Sequence, residues 1–203
     1  MTAVEIKQMR PTDIEEASEV LSHAMLSNPI HVAVYHGESE IERQQIEDAF
    51  LALLRDRPEE VFIAKQGSQI IGVCRSYICR GDRDISQEVQ ELLDTSEPEL
   101  SSFKDRYNYW EGIWSSRDPS IIHSHLGPIS VLPEYQSLGV GTLLMERYCK
   151  LVDERKLPAY LETDRLTNVP FYRKFSFNLI DEIEILEVMN YFMWREIQES
   201  WAM

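Results

Sequence analysis

Gln136-Ser137-Leu138-Gly139-Val140-Gly141 separates a stretch that reads as strand, Ile121 to Val131, from one that reads as helix, Gly139 to about Lys156. Glycines at a helix start let backbone N–H groups turn outward and converge. The helix dipole adds partial positive charge there, so the junction suits a phosphate or pyrophosphate. The spacing is neither G-x-G-x-x-G nor a P-loop, since no G-x-x-x-x-G-K-[ST] occurs. A tight turn alone would also place two glycines there. Just upstream, Gly127-Pro128 interrupts the strand. Proline cannot donate to a ladder, so the dipeptide predicts a bulge or a local departure from pairing.

Outward from this junction the chain alternates elements. Ala159 to Thr163 reads as a short strand, Asn168 as the cap of a short helix, and Phe177 to Leu186 and Met189 to Trp194 as closing strands. Toward the N-terminus, Val4 to Met9 alternates apolar and polar residues as a strand does. Pro11-Thr12-Asp13 opens a helix whose apolar face is Ile14, Ala17, Val20, Leu21 and Ala24, and a second helix is expected from about Ser39 to Arg55, stopping before Pro58. Val61 to Ala64 and Ile70 to Ile78 read as a hairpin around Gly67-Ser68. Residues 81–119 are polar and read as an insertion of one or two helices. A single mixed α/β domain over 1–203 follows, divided as 1–80, the insertion 81–119, and 120–203.

Composition narrows the function classes. The 203 residues are 43% hydrophobic, enough to build a core, and the formal charge is −15, from 20 Lys and Arg against 35 Asp and Glu. A chain this acidic is unsuited to general binding of nucleic acid or anionic membrane. The N-terminus shows no secretory signal, and the apolar runs are too short to cross a bilayer. Cys74, Cys79 and Cys149 form no C-x-x-C pair, and three is an odd number for a disulfide framework. These features predict a cytoplasmic protein with reduced thiols.

Four features in order carry a resemblance: Ile129-Ser130-Val131-Leu132-Pro133, the Q-x-x-G-x-G loop, Tyr160-Leu161-Glu162-Thr163, and Asn168-Val169-Pro170-Phe171-Tyr172. Together they resemble the acetyl-CoA-binding core of the GNAT superfamily of N-acetyltransferases, and the stretch from Leu157 to Tyr172 resembles its puromycin N-acetyltransferase branch. The resemblance implies a mostly antiparallel twisted sheet of about seven strands, splayed between strands 4 and 5 and flanked by helices. It implies acetyl-CoA as co-substrate, with Gln136, Ser137, Leu138, Gly139, Val140, Gly141 and Thr142 around the pyrophosphate. It also implies Ile129, Ser130 and Val131 pairing with the pantetheine arm, Asn168 contacting that arm, and the Tyr172 hydroxyl near the thioester sulfur. A homodimer through the C-terminal strands is a further implication. Ser176 stands where relatives usually carry Gly, which leaves the local turn open. From 139 to 175 seven Lys and Arg face five Asp and Glu, a partition that agrees with an anionic ligand.

The implied reaction is acetyl transfer to an amine. An alkyl ammonium, with a pKa of roughly 10.4, has no lone pair, so the site needs a base. Glu162, on the strand beside the cofactor slot by resemblance, is one candidate, and His125, sharing a strand face with His123, is another. An ordinary strand glutamate and a structural histidine pair are the plain alternatives. Tyr172 is the candidate general acid, or a packed aromatic beside Phe171 and Phe175. Phe103, Tyr107, Trp110 and Trp114 either bury a helix stripe or wall an acceptor pocket. His-x-His alone, with no third ligand at recognisable spacing, gives no metal. The expected acceptor is a small-molecule amine, with a peptide or protein amine as the variant. A CoA-binding sensor without turnover is the competing class.

Overall fold

The computed structural model describes residues 3–56, 60–81, 85–95 and 98–198. Pro58, the expected stop of the second long helix, lies outside them, as do Met1 and Thr2. In chain order the elements are β1 (Val4–Gln8), α1 (Ile14–Met25), α2 (Pro29–Tyr35), α3 (Glu40–Asp56), β2 (Glu60–Gln66), β3 (Gln69–Cys79), α4 (Gln87–Leu93) and α5 (Phe103–Arg117). Then come β4 (His123–Val131), α6 (Val140–Glu154), β5 (Ala159–Thr163), α7 (Val169–Arg173), β6 (Asn178–Ile185) and β7 (Val188–Arg195).

One sheet takes the order β1-β2-β3-β4-β5-β7-β6, antiparallel at every junction except β4–β5. That parallel junction is short: only Ser124↔Ala159 and His125↔Tyr160 pair. Beyond His125 the strands part, so the sheet forks between Leu126–Val131 and Leu161–Thr163 as expected. The bulge falls where proline placed it. The β3–β4 register jumps from Cys74↔Ile129 to Ser76↔Leu126, so Gly127 and Pro128 together oppose Arg75. Arg75 Nη1 donates to Gly127 O at 3.0 Å.

The main core lies under α1 and α6. It joins Ala17, Val20 and Leu21 to Phe62, Ile71, Leu144, Met145, Tyr148 and Phe177. A second cluster, Ile30, Val34, Trp110, Ile113 and Ile185, fixes the insertion helix α5 to α2 and the far end of the sheet. Arg106 ties the two helices further, its Nε donating to Val34 O at 2.8 Å. The aromatic stripe of α5 therefore splits, with Trp110 buried and Phe103 and Tyr107 open to solvent. No helix among the described residues is long and apolar enough to cross a membrane.

Two local expectations change. Helix α2 was not expected, yet Asn28-Pro29 is a good start: the Asn28 side chain accepts from the His31 amide, and proline tolerates the first helical position. Asn168 does not cap α7. Its side-chain amide turns back to donate to Thr163 Oγ1 at 3.0 Å, and the residue ends a 3₁₀ turn with αR torsions. Ser176, where the resemblance implies glycine, takes a left-handed φ of 65°.

Candidate active site

The fork exposes one edge of β4. Leu132 N donates to Ile71 O at 3.0 Å, so strand alternation turns the backbone of Ser130 toward Val73 of β3. The N–H and C=O of Ile129 and Val131 consequently face the gap. Of the three expected strand residues, Ile129 and Val131 turn backbone groups into the gap, and Ser130 serves the sheet. Gln136 Nε2 donates to Val131 O at 3.0 Å, pinning the loop to this edge.

The loop itself ends in Gly139, whose φ of 88° is a left-handed conformation that favours glycine. The first bond of the helix is Leu143 N to Gly139 O, so the amides of Val140, Gly141 and Thr142 have no partner within α6. Several unpaired donors thus crowd the N-terminus of a 15-residue helix beside the open edge. This arrangement fits a phosphate group.

At the crotch of the fork sit the acid–base candidates. His125 Nε2 and Glu162 Oε2 are 2.8 Å apart, with side chains 6% and 2% exposed. Glu162 Oε1 is buried with no hydrogen-bond partner among the described residues. His123, fully buried, donates from Nδ1 to Ile121 O at 2.8 Å. Tyr77 stacks on the His125 ring at 4.8 Å, and Tyr160 meets it edge-on at 5.3 Å.

Tyr172 lies on α7 with Phe171 and Phe177 packed against its ring. Burial, and after it the neighbouring Cys74 and Asp164, push its hydroxyl above the ordinary tyrosine range, so it stays protonated. No side chain among the described residues hydrogen-bonds it. Asp164, just past β5, holds the start of α2 by accepting from Asn28 Nδ2 and Ile30 N, each at 2.8 Å. The cysteines are buried, and burial raises the Cys74 thiol and takes Cys149 up to about 11, so neither of these two is a thiolate nucleophile at neutral pH.

One buried carboxylate beside these groups escaped the sequence reading. Asp118, in the loop between α5 and β4, comes within 2.8 Å of His123 Nε2 and 3.2 Å of Cys79 Sγ. The absence of a third ligand near His-x-His was a limit of linear spacing, because folding gathers Cys79, Asp118 and His123 within 4.8 Å. The 2.8 Å contact is hydrogen-bond length, shorter than the roughly 3.3 Å between two ligands of a tetrahedral zinc with bonds of about 2.0 Å.

A sheet opened at its one parallel junction, with a cluster of free amides at its lip, defines a transferase domain that takes an extended acyl carrier. A family model described as acetyltransferase (GNAT) matches residues 28–177, and the chain belongs to that family of N-acetyltransferases. Solved structures share the fold. Arylalkylamine N-acetyltransferase 2 from Aedes aegypti is similar at 14% identity and TM-score 0.71, covering 96% of this chain and 99% of that one. The polyamine N-acetyltransferase of Drosophila melanogaster is similar at 10% identity and TM-score 0.68, covering 96% and 100%. A GNAT acetyltransferase from Brucella melitensis, solved with acetyl-CoA, gives 18% identity and TM-score 0.55, covering 98% and 91%.

Proposed function

We propose that this N-acetyltransferase moves the acetyl group of acetyl-CoA to a primary amine of a small molecule in the cytoplasm, with Glu162 and His125 as the base and Tyr172 as the acid. The observation that carries this reading is the buried Glu162–His125 pair at the fork, with Glu162 Oε1 lacking a hydrogen-bond partner among the described residues. The pyrophosphate is assigned to the amides from Ser137 to Thr142, and the pantetheine arm to the free edge at Ile129 and Val131. Asn168, held by Thr163, borders that slot. Structural neighbours named for arylalkylamine, polyamine and agmatine acetylation support an amine acceptor. The puromycin-like branch supplies one candidate acceptor among these.

In the reaction an acceptor ammonium first loses a proton to Glu162 Oε1, and its nitrogen keeps the freed electron pair. That pair attacks the thioester carbonyl, and the Ile129 amide donates to the resulting oxyanion. Collapse breaks the C–S bond; Tyr172, held protonated by burial, gives its proton to the departing sulfur, and the surplus proton on the acylated nitrogen passes to the phenolate, leaving a neutral amide. Removing a positioned acid or base costs on the order of 10²–10⁴ in rate.

The test is thiol release from acetyl-CoA with puromycin, polyamines, agmatine, arylalkylamines, aminoglycosides and short peptides. Amine-dependent release that drops at least about tenfold in both Glu162→Gln and Tyr172→Phe supports the assignment. Release unchanged in Glu162→Gln refutes the base, and calorimetric binding of acetyl-CoA with no amine consumed makes the protein a sensor.

A further inference from the structure

The end of α5 carries a carboxylate that the acetyl-transfer motif does not include. Asp118 is the C-cap of α5, its amide donating to Trp114 O at 3.1 Å, and its side chain is 2% exposed. One carboxylate oxygen lies 2.8 Å from His123 Nε2, and the other lies 3.7 Å from His125 Nδ1. Glu162 meets the opposite nitrogen of His125 at 2.8 Å. Four buried ionisable side chains from three elements thus alternate in sign-bearing capacity: Glu162, His125, Asp118, His123. The other polar groups facing them are Cys79 and Tyr77 on β3, Tyr160 on β5, and Arg75, whose guanidinium lies over the Tyr77 ring at 4.9 Å.

Donor and acceptor roles follow from the fixed partners. Ile121 O can only accept, so His123 Nδ1 carries a hydrogen. Its Nε2 lies 2.8 Å from one Asp118 oxygen outside hydrogen-bond geometry, so that contact acts through proximity and charge. The contact between His125 Nε2 and Glu162 holds a proton, donated by the ring. Asp118 lies behind that ring, on the side away from Glu162.

We propose that Asp118 is a positioning residue for acetyl transfer: it clamps His123 and orients His125, which in turn aims Glu162 Oε1 at the acceptor. The proposal rests on the base assignment above. It adds no bond-making step; the proton leaves the amine for Glu162 as already described, and Asp118 acts only through His125. A base held by a second group that is itself oriented by a third is the logic of catalytic triads. The carboxylate that finishes the arrangement arrives from the insertion rather than from the core that binds the acyl carrier.

Asp118→Asn keeps the shape and removes the charge. The expected result is a kcat lower by at least about tenfold with the KM for acetyl-CoA unchanged, since the carrier's contacts lie along β4 and the loop. Calorimetric titration of Asp118→Asn with acetyl-CoA gives a readout independent of turnover and should match the wild type. Weakened binding would mean a packing defect and overturns the positioning role. So does a stoichiometric zinc content in the purified protein, which would make Asp118 a metal ligand. If Glu162→Gln loses activity while Asp118→Asn keeps full kcat, the positioning role fails and the base assignment stands. If both keep full activity, the base assignment itself fails.

Discussion

Gly141→Ala separates what the free protein needs from what its ligand needs. Gly141 is the second residue of α6, and a β-carbon built there would lie 3.6 Å from Phe171 Cζ and 3.9 Å from Val131 Cγ2, ordinary contact distances. Packing therefore does not demand glycine at this position, and alanine is the better helix former by up to about 1 kcal/mol in a helix interior. In the first turn about half of that is a fair expectation, which raises Tm by about 1–2 °C for a chain of this size. The same β-carbon points between Val131 at the open edge and Phe171 on α7, into the path assigned to the acyl carrier. Binding of acetyl-CoA should weaken at least tenfold, about 1.4 kcal/mol. Thermal unfolding without ligand and calorimetric titration with acetyl-CoA measure the two effects separately. Higher Tm with unchanged affinity would refute the assigned path, and lower Tm would refute the packing argument.

Other consequences are equally direct. Ser176→Gly should raise stability by about 0.5–1 kcal/mol, because relief of the left-handed φ of 65° outweighs the added freedom of the unfolded chain; urea unfolding reads it. His31, packed among Tyr35, Phe50 and Trp110, has its imidazole pulled down to about 4 by burial. A folded value below the unfolded one means stability is full above pH 6.5 and falls as pH drops toward 4. The full shift equals about 3 kcal/mol, and part of the residue reaches solvent, so the expected loss is about 1–2 kcal/mol. His31→Gln should flatten that pH dependence in urea unfolding. Asp153→Asn removes the carboxylate that Arg195 holds with two bonds of 2.7 and 2.9 Å, and it should cost about 1–3 kcal/mol in the same measurement.

Local signals made the strands, the bulge and the glycine loop legible. Period-2 patterning, a proline inside a strand and glycines before a helix each act over a few residues, and the observed β1, β2, β3, β5 and α6 lie within two or three residues of their expected bounds. Helix α2 was passed over because seven residues give little periodicity, although Asn28-Pro29 announces its start. Asn168 was read as a cap from its residue type, and the nearby Thr163 hydroxyl competes for its side chain. Asp118 was beyond reach for a different reason. Its partners are His123 and His125 on β4 and Cys79 on β3, and only the docking of α5 on α2 and the sheet brings Asp118 to them.

The fork has a consequence for aggregation. Unpaired strand edges are templates for other chains, and sheets usually keep them at the rim, where charge or short length protects them. This fold carries two more edges inside itself, on β4 past His125 and on β5 past Tyr160. α1 and α6 both pack against β4, so a foreign strand can enter only by threading in from the open end. A slender, flexible ligand passes that constraint more easily than a peptide whose side chains project to both faces. The same helices that hide the core thereby keep the acyl-carrier slot from recruiting a neighbouring molecule's β-strand.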